Sequence, residues 1–244
     1  MSMETPKAHG IAEPSVQGPG VAAVEDVVAV IAHCAIANEA YFCELDAVVG
    51  DGDFGYSLAR GFEAVLNEWD KIDRTSVDIF LRKIALAITG RMGGTSGPIW
   101  GTAFLKAAGA FAASGGELDG ATSVMMLRAA ADGIGLRGGA SLGDKTLLDA
   151  LVPATDEIAR CVAAGADLAT TLRAAALVAR EAATATASLR AARGRASYTG
   201  ERSIGSVDAG AVAIAVLLER LADVWADKAA KDMGETNQSP EVSQ

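Results

Sequence analysis

The chain has 244 residues and a formal net charge of -10, with half of its residues apolar and only 5% aromatic. With no run of Lys or Arg longer than a pair, it lacks the cationic face that nucleic acid or an anionic membrane requires. Any polyanion must be held locally, by metal ions, backbone amides or a few placed arginines. Abundant alanine and few aromatic residues favour closely packed helices over a sheet, so the expected fold class is all-α. The cysteines Cys34, Cys43 and Cys161 are widely spaced in apolar sequence and read as small core residues of a reduced, cytoplasmic protein. The N-terminal stretch has no signal-peptide apolar core, and the longest apolar runs fall short of a membrane span.

Residues 1–20 and 231–244 are polar and aperiodic and are expected to be disordered, leaving one helical domain over 21–230. Val24, Val27, Val28, Ile31 and Ala35 recur at the spacing of one helical face. Leu58, Phe62, Val65, Leu66 and Trp69 repeat that pattern, as do Val77, Phe80, Leu81, Ile84 and Ile88. Further helices are expected at about 97–114, 119–136, 144–164, 167–192 and 208–230, divided by Gly-rich or charged breaks. Connections this short favour antiparallel neighbours in a bundle. Four connections are long or unusual in composition: 44–57, 90–97, 137–147 and 193–210. They follow alternate helices, so in an up-down bundle they emerge at one end and meet there.

The first connection places Asp46, Asp51 and Asp53 within eight residues, with glycines at 50 and 52 that let the backbone curl. Three crowded carboxylates repel one another unless a hard cation neutralises them, and oxygen-only ligands suit Mg²⁺ or Ca²⁺. A calcium-binding EF-hand loop begun at Asp51 would need an acid at its twelfth place, where Phe62 stands. A solvated Asp/Gly turn accounts for the same residues taken alone. In the second connection, Gly93-Gly94-Thr95-Ser96-Gly97 opens a helix, where free amides and two hydroxyls could hold phosphate oxygens; the Gly-Lys-Ser/Thr of a P-loop is absent. In the third, Asp144 suits a plain N-cap and Lys145 a surface position, with Gly138 and Leu147 as candidate cleft lining. The fourth carries Arg193, Arg195 and Arg202 among glycines and hydroxyls, and its embedded Tyr198 and Ile204 argue for order. His9 lies in the N-terminal stretch, and His33 reads as a helix residue with a structural place. No Ser/His/Asp pattern and no Cys/His metal spacing occurs.

The stretches LDAVVGDGDFG, MGGTSGPIWGTAFLKAA, RGGASLGDKTLLDALVPA and ARGRASYTGERSIGSVDAGA follow in this order over roughly residues 25–225. Together they resemble the nucleotide-binding L subunit, or the equivalent C-terminal domain, of dihydroxyacetone kinases. The resemblance implies a closed barrel of eight antiparallel helices with the nucleotide at one end. It implies that Asp46, Asp51 and Asp53 hold Mg²⁺ on the phosphates of ADP or ATP, and that Thr95 and Ser96 contact phosphate beside Phe54, Tyr56 and Ser57. Gly138 and Leu147 would line the adenine pocket. Arg193 and the turn Asp208, Ala209 and Gly210 would close the site, and Arg195 would act on the transferring phosphoryl group.

The implied activity is the phosphoryl-donor half of a ketose kinase. Its implied partners are a substrate-binding K-type subunit, a small ketose and, where ADP is retained, a phosphotransferase-system phosphocarrier; a homodimer is compatible with it. Two residues depart from the family's pattern: Phe54 stands where a histidine is common, and Ala209 where a proline is usual. These departures suit a divergent member acting on a related sugar such as a tetrulose. A nucleotide-binding regulator of the same fold, without transfer activity, is the rival expectation.

Overall fold

The computed structural model describes residues 17, 18 and 20–236, with side chains through residue 231. The disorder expected at the two ends falls largely on residues outside this set. Among the described residues there are nine α-helices and no strand: α1 (Val21–Ala37), α2 (Glu39–Ala47), α3 (Phe54–Asn67), α4 (Val77–Arg91), α5 (Ser96–Ala113), α6 (Gly120–Gly138), α7 (Leu148–Ala163), α8 (Leu168–Ala185) and α9 (Ala209–Thr236). None of them is by itself long and apolar enough to cross a membrane.

The apolar stripes bury as their spacing predicts. Val77, Phe80, Leu81, Ile84 and Ile88 of α4 are all buried, as are Leu58, Phe62 and Val65 of α3. Phe62 meets Trp100 and Phe104 of α5 edge to face, which locks α3 against α5. Cys34 and Cys161 are buried, whereas Cys43 is half-buried and its Sγ accepts a hydrogen bond from the Tyr56 amide at 3.2 Å. Burial pushes the Cys34 thiol up, as for an inert core cysteine. His33 is exposed on α1, and His9 lies outside the described residues.

Helix pairing follows chain order. From α3 onward each helix packs on the next, and α1 packs on both α3 and α9. The eight long helices therefore contact one another in a closed order, and α2 sits on α3 beside α1 and α9. The expected first helix and its following connection hide a break. At Asn38 the chain turns by 59° between α1 and α2, and the Asn38 side chain donates to the Cys34 carbonyl at 2.8 Å. Asn favours such a local side-chain bond over continuing a helix. The later helices differ from expectation chiefly at three ends, one of them the end of α9, which runs to Thr236 rather than 230, so that helix continues six residues into the tail expected to be disordered. α8 stops at Ala185 rather than 192, because Thr186 turns its hydroxyl to the Ala183 carbonyl and accepts the Asp208 amide at 2.8 Å. α7 begins at Leu148 rather than 144.

The two ends of the bundle are capped differently. α4, α6 and α8 start from Ser76, Asp119 and Asp167, each accepting a backbone amide of the first turn. α3 and α5 start from Asp53 and Thr95, neither of which makes a side-chain cap bond. At α5 the orphan amides of the first turn therefore remain available to a ligand, whereas at α3 the Tyr56 amide is already taken by the Cys43 sulfur.

The approach of α3 to α2 requires a glycine. A β-carbon at Gly55 would overlap the Glu39 carbonyl and press on Cys43. Gly55→Ala should destabilise the chain by about 1–3 kcal/mol through overpacking, and a fall in the urea midpoint at unchanged m-value checks this.

Candidate functional site

The four unusual connections meet, as their place in the bundle predicts. Asp46 ends α2, and its Oδ2 accepts the Gly52 amide at 2.9 Å, which curls the connection back on the helix. Gly52 takes φ +74°, a left-handed value suited to glycine, and a β-carbon at Gly50 would overlap the Asp46 carboxylate. The result is one carboxylate oxygen from each of Asp46, Asp51 and Asp53, all within 4.8 Å of one another. From the fourth connection Arg195 forms an ion pair with Asp51 and lies 3.6 Å from the Asp53 carboxylate. Burial and the adjacent Asp51 charge hold Asp53 above the ordinary aspartate range, and Arg195 opposes them. One guanidinium thus shares a three-carboxylate nest that suits an oxygen-coordinated cation.

Around the nest, Phe54, Tyr56 and Ser57 form the first turn of α3. Phe54 turns inward onto Phe42, ring centroids 6.1 Å apart, while Tyr56 is exposed beneath the Arg60 guanidinium. Ser57 is buried next to Gly93 of the second connection. Thr95 and Ser96 open α5, and Gly97 is required there because a β-carbon would overlap the Met92 carbonyl. Gly138 ends α6 against Ile99. Leu147, Ile99 and Ala140 are half-buried over a small apolar cluster of Ala131, Ile134 and Leu148. Gly210 closes on Leu147, with Ala209 buried beside it. Arg193 bonds Asp144, Nε to Oδ2 at 3.2 Å.

Asp208 caps α9, accepting the Ala211 amide at 2.7 Å. Burial pushes its carboxyl up to about 7; the charges of Asp149 and Asp46 add to this, against the Ala211 amide and Lys145. Neither of two surface cavities, about 370 Å³ by Lys71, Lys83 and Arg91 and about 500 Å³ by Arg173 and Leu177, includes a residue of this cluster.

The third connection departs from its expected reading. Lys145 is not a surface residue; it is 2% exposed, with φ +61°. Asp144 does not cap α7. Its carboxylate accepts the Ser141 amide at 3.0 Å and pairs with Arg193, while Asp149 accepts the amides of Gly143 at 2.5 Å and Thr146 at 2.7 Å. Thr146-Leu-Leu-Asp149 carries the capping-box pattern, so the sequence held a signal for Asp149. Ile99 and Ala140 gave none, since each is an ordinary apolar residue of its segment. In the fourth connection Tyr198 is 90% exposed and Ile204 nearly half exposed, so order there does not come from their burial.

Comparison with known proteins identifies the family and the fold. The DAK2 domain family matches residues 48–223. The chain is 36% identical over 182 residues to the ADP-binding subunit DhaL of the PEP-dependent dihydroxyacetone kinase of Escherichia coli, covering 75% of this chain and 86% of that one. It is 40% identical over 188 residues to an L-erythrulose 1-kinase of Mycolicibacterium smegmatis, covering 76% of this chain but 32% of that longer protein. The crystal structure of the C. freundii dihydroxyacetone kinase shares the fold, with a TM-score of 0.67 at 24% identity over 92% of this chain and 38% of that one. The helical fold and the matched segment define a helical domain of the dihydroxyacetone kinase type. The chain belongs to the DAK2 domain family, with DhaL-type ADP-binding subunits among its relatives.

The raised Asp208 value sets a pH dependence. Its folded value lies above the ordinary 3.8, so the stability it lends is complete below about pH 4 and is lost as pH rises towards about 7. Asp119 and Asp167, held low by the amides they cap, act below that window. Asp208→Asn should flatten the decline of the urea midpoint between pH 4 and 7 measured in chelator.

Proposed function

We propose that this chain is the phosphoryl-donor component of a dihydroxyacetone-type or related ketose kinase, taking Mg²⁺ with ADP or ATP and serving a small ketose held on a separate K-type subunit. The observation that carries this reading is the convergence of Asp46, Asp51, Asp53 and Arg195 beside the uncapped starts of α3 and α5. Family membership and the activities of the relatives, a dihydroxyacetone kinase and an erythrulose kinase, support it.

Bound Mg²⁺ would supply counter-charge to the nucleotide phosphates and to the phosphoryl group in transfer. Asp46, Asp51 and Asp53 would hold it. The Thr95 and Ser96 hydroxyls and the free amides at the start of α5 would donate to phosphate oxygens. The amides of Tyr56 and Ser57 are already committed, to Cys43 and to the Asp53 carbonyl, so their part on α3 falls to side chains. Leu147 and Gly138, with Ile99 and Ala140, offer an apolar floor for adenine. Phe54 gives the phosphates no donor, and its ring fixes the first turn of α3 on α2 instead. Arg193 and the Asp208-Ala209-Gly210 turn would close the site from the side of α9. Arg195, drawn off Asp51 when a metal neutralises that carboxylate, would place its fork on the phosphoryl oxygens. A donor that keeps its ADP would need a phosphocarrier partner to recharge it, as the PEP dependence named for the E. coli relative suggests.

Two variants test the reading. Asp53→Asn removes one of three crowded charges, so the metal-free thermal midpoint should rise by about 1–3 °C, while the further rise given by Mg²⁺ with ADP should disappear. Arg195→Ala should lower phosphate transfer by about 10²–10³-fold with ADP affinity nearly unchanged, read in an assay with the cognate substrate-binding subunit and a panel of ketoses. A wild-type chain that binds Mg²⁺ and ADP but transfers to no ketose would instead be a regulator.

A further inference from the structure

The segment that carries Arg193 and Arg195 has little core of its own. Between Leu189 and Ser206 the chain makes short 3-10 turns, kinked at Gly200, and exposes Tyr198 and both arginines. One side chain from another connection ties down both of its ends. The Lys145 ammonium donates to the carbonyls of Leu189 at 3.2 Å, Ser203 at 2.5 Å and Ser206 at 2.5 Å. An ammonium has three N–H donors, and each finds a carbonyl, which offsets the cost of burying the charge. Asp208 lies near enough to favour the charged form, against the burial that lowers the lysine's basicity.

The three carbonyls stand at the two feet of the loop, one before Arg193 and two after Arg202. Asp144 grips the first foot a second time, its carbonyl accepting the Ala192 amide at 3.0 Å and its carboxylate pairing with Arg193. Ser203, fully buried, joins the feet by accepting the Ala191 amide at 2.9 Å. Lys145 reaches this place from a left-handed backbone, φ +61°, in the only non-glycine residue with positive φ among those described. Such a conformation is costly for lysine and persists where the surroundings demand it.

We infer that Lys145 is a positioning residue for the reaction proposed above: it clamps both feet of the 189–206 loop and so fixes Arg195 over the three carboxylates. It touches neither nucleotide nor substrate. Its effect on transfer passes through Arg195, and that sets the inference apart from a general contribution to stability.

The test is a double-mutant cycle on the full chain with its substrate-binding subunit, joined to trypsin cleavage of the chain alone. Lys145→Met keeps the aliphatic stem and deletes the donors. It should retain its helical circular dichroism, bind Mg²⁺ with ADP within about 3-fold of wild type, and transfer phosphate about 10-fold more slowly. Combined with Arg195→Ala it should be no slower, within about 2-fold, than Arg195→Ala alone, because both changes remove the same placed guanidinium. Trypsin cleavage after Arg193 and Arg195 should rise about 10-fold relative to cleavage after Arg128 and Arg160 in helices. Penalties that multiply, or cleavage at the wild-type rate, overturn the inference. If Lys145→Met does not fold, Lys145→Arg takes its place: it keeps the cation but cannot aim three donors from one atom, so the same non-additivity with Arg195→Ala is expected. Should the wild-type chain transfer to no ketose, the proposed function fails, and the cleavage comparison still decides the clamp.

Discussion

Repulsion among three carboxylates is the constraint around which this end of the molecule is built. Asp46, Asp51 and Asp53 bring their oxygens within 4.8 Å of one another, an arrangement whose mutual repulsion nearby positive charge relieves. Without metal that charge is Arg195, which comes from the far end of the sequence. The glycines at 50 and 52 allow the crowding, and Gly55 lets α3 approach α2 closely enough to bring Asp53 beside Asp46. Removing the charge problem would make a more comfortable turn and, on the function proposed above, a worse cation site, the usual opposition between stability and function.

Much of the fold was legible because helical periodicity depends only on neighbours in sequence. The stripes from Leu58 to Val65 and from Val77 to Ile88 bury as read, and the convergence of four connections followed from counting helices. The break at Asn38 was not legible. Glu39 to Ala47 is good helical sequence, and only the side-chain bond from Asn38 to the previous turn marks the bend. The early end of α8 was equally hidden, since Thr186 leaves the helix to serve Asp208, a residue far along the chain.

The carboxylates of the candidate site could be seen for the same local reason: eight residues contain them all. Lys145 could not. Its sequence neighbours, Asp144 and Thr146, describe an ordinary polar turn, and its burial is decided by three carbonyls more than forty residues away. Asp149 carries a legible signal, the capping-box pattern it forms with Thr146, whereas Asp144, the acid at the expected helix start, makes no cap. Exposed Tyr198 shows the converse, an aromatic residue in a loop whose order owes nothing to aromatic burial.

The bend at Asn38 has a consequence for the order in which these parts can assemble. It makes α2 a short spur outside the closed circuit of long helices, and the spur with its turn contains the entire carboxylate set. Closing eight residues costs little chain entropy, whereas bringing Arg195 to Asp51 closes a loop of well over a hundred. The acidic nest is therefore a short-range structure and its counter-charge a long-range one. Arg195 meets Asp51 only when the segment between α8 and α9 is brought against the turn after α2, so that ion pair depends on distant parts of the chain in a way that the aspartates themselves do not.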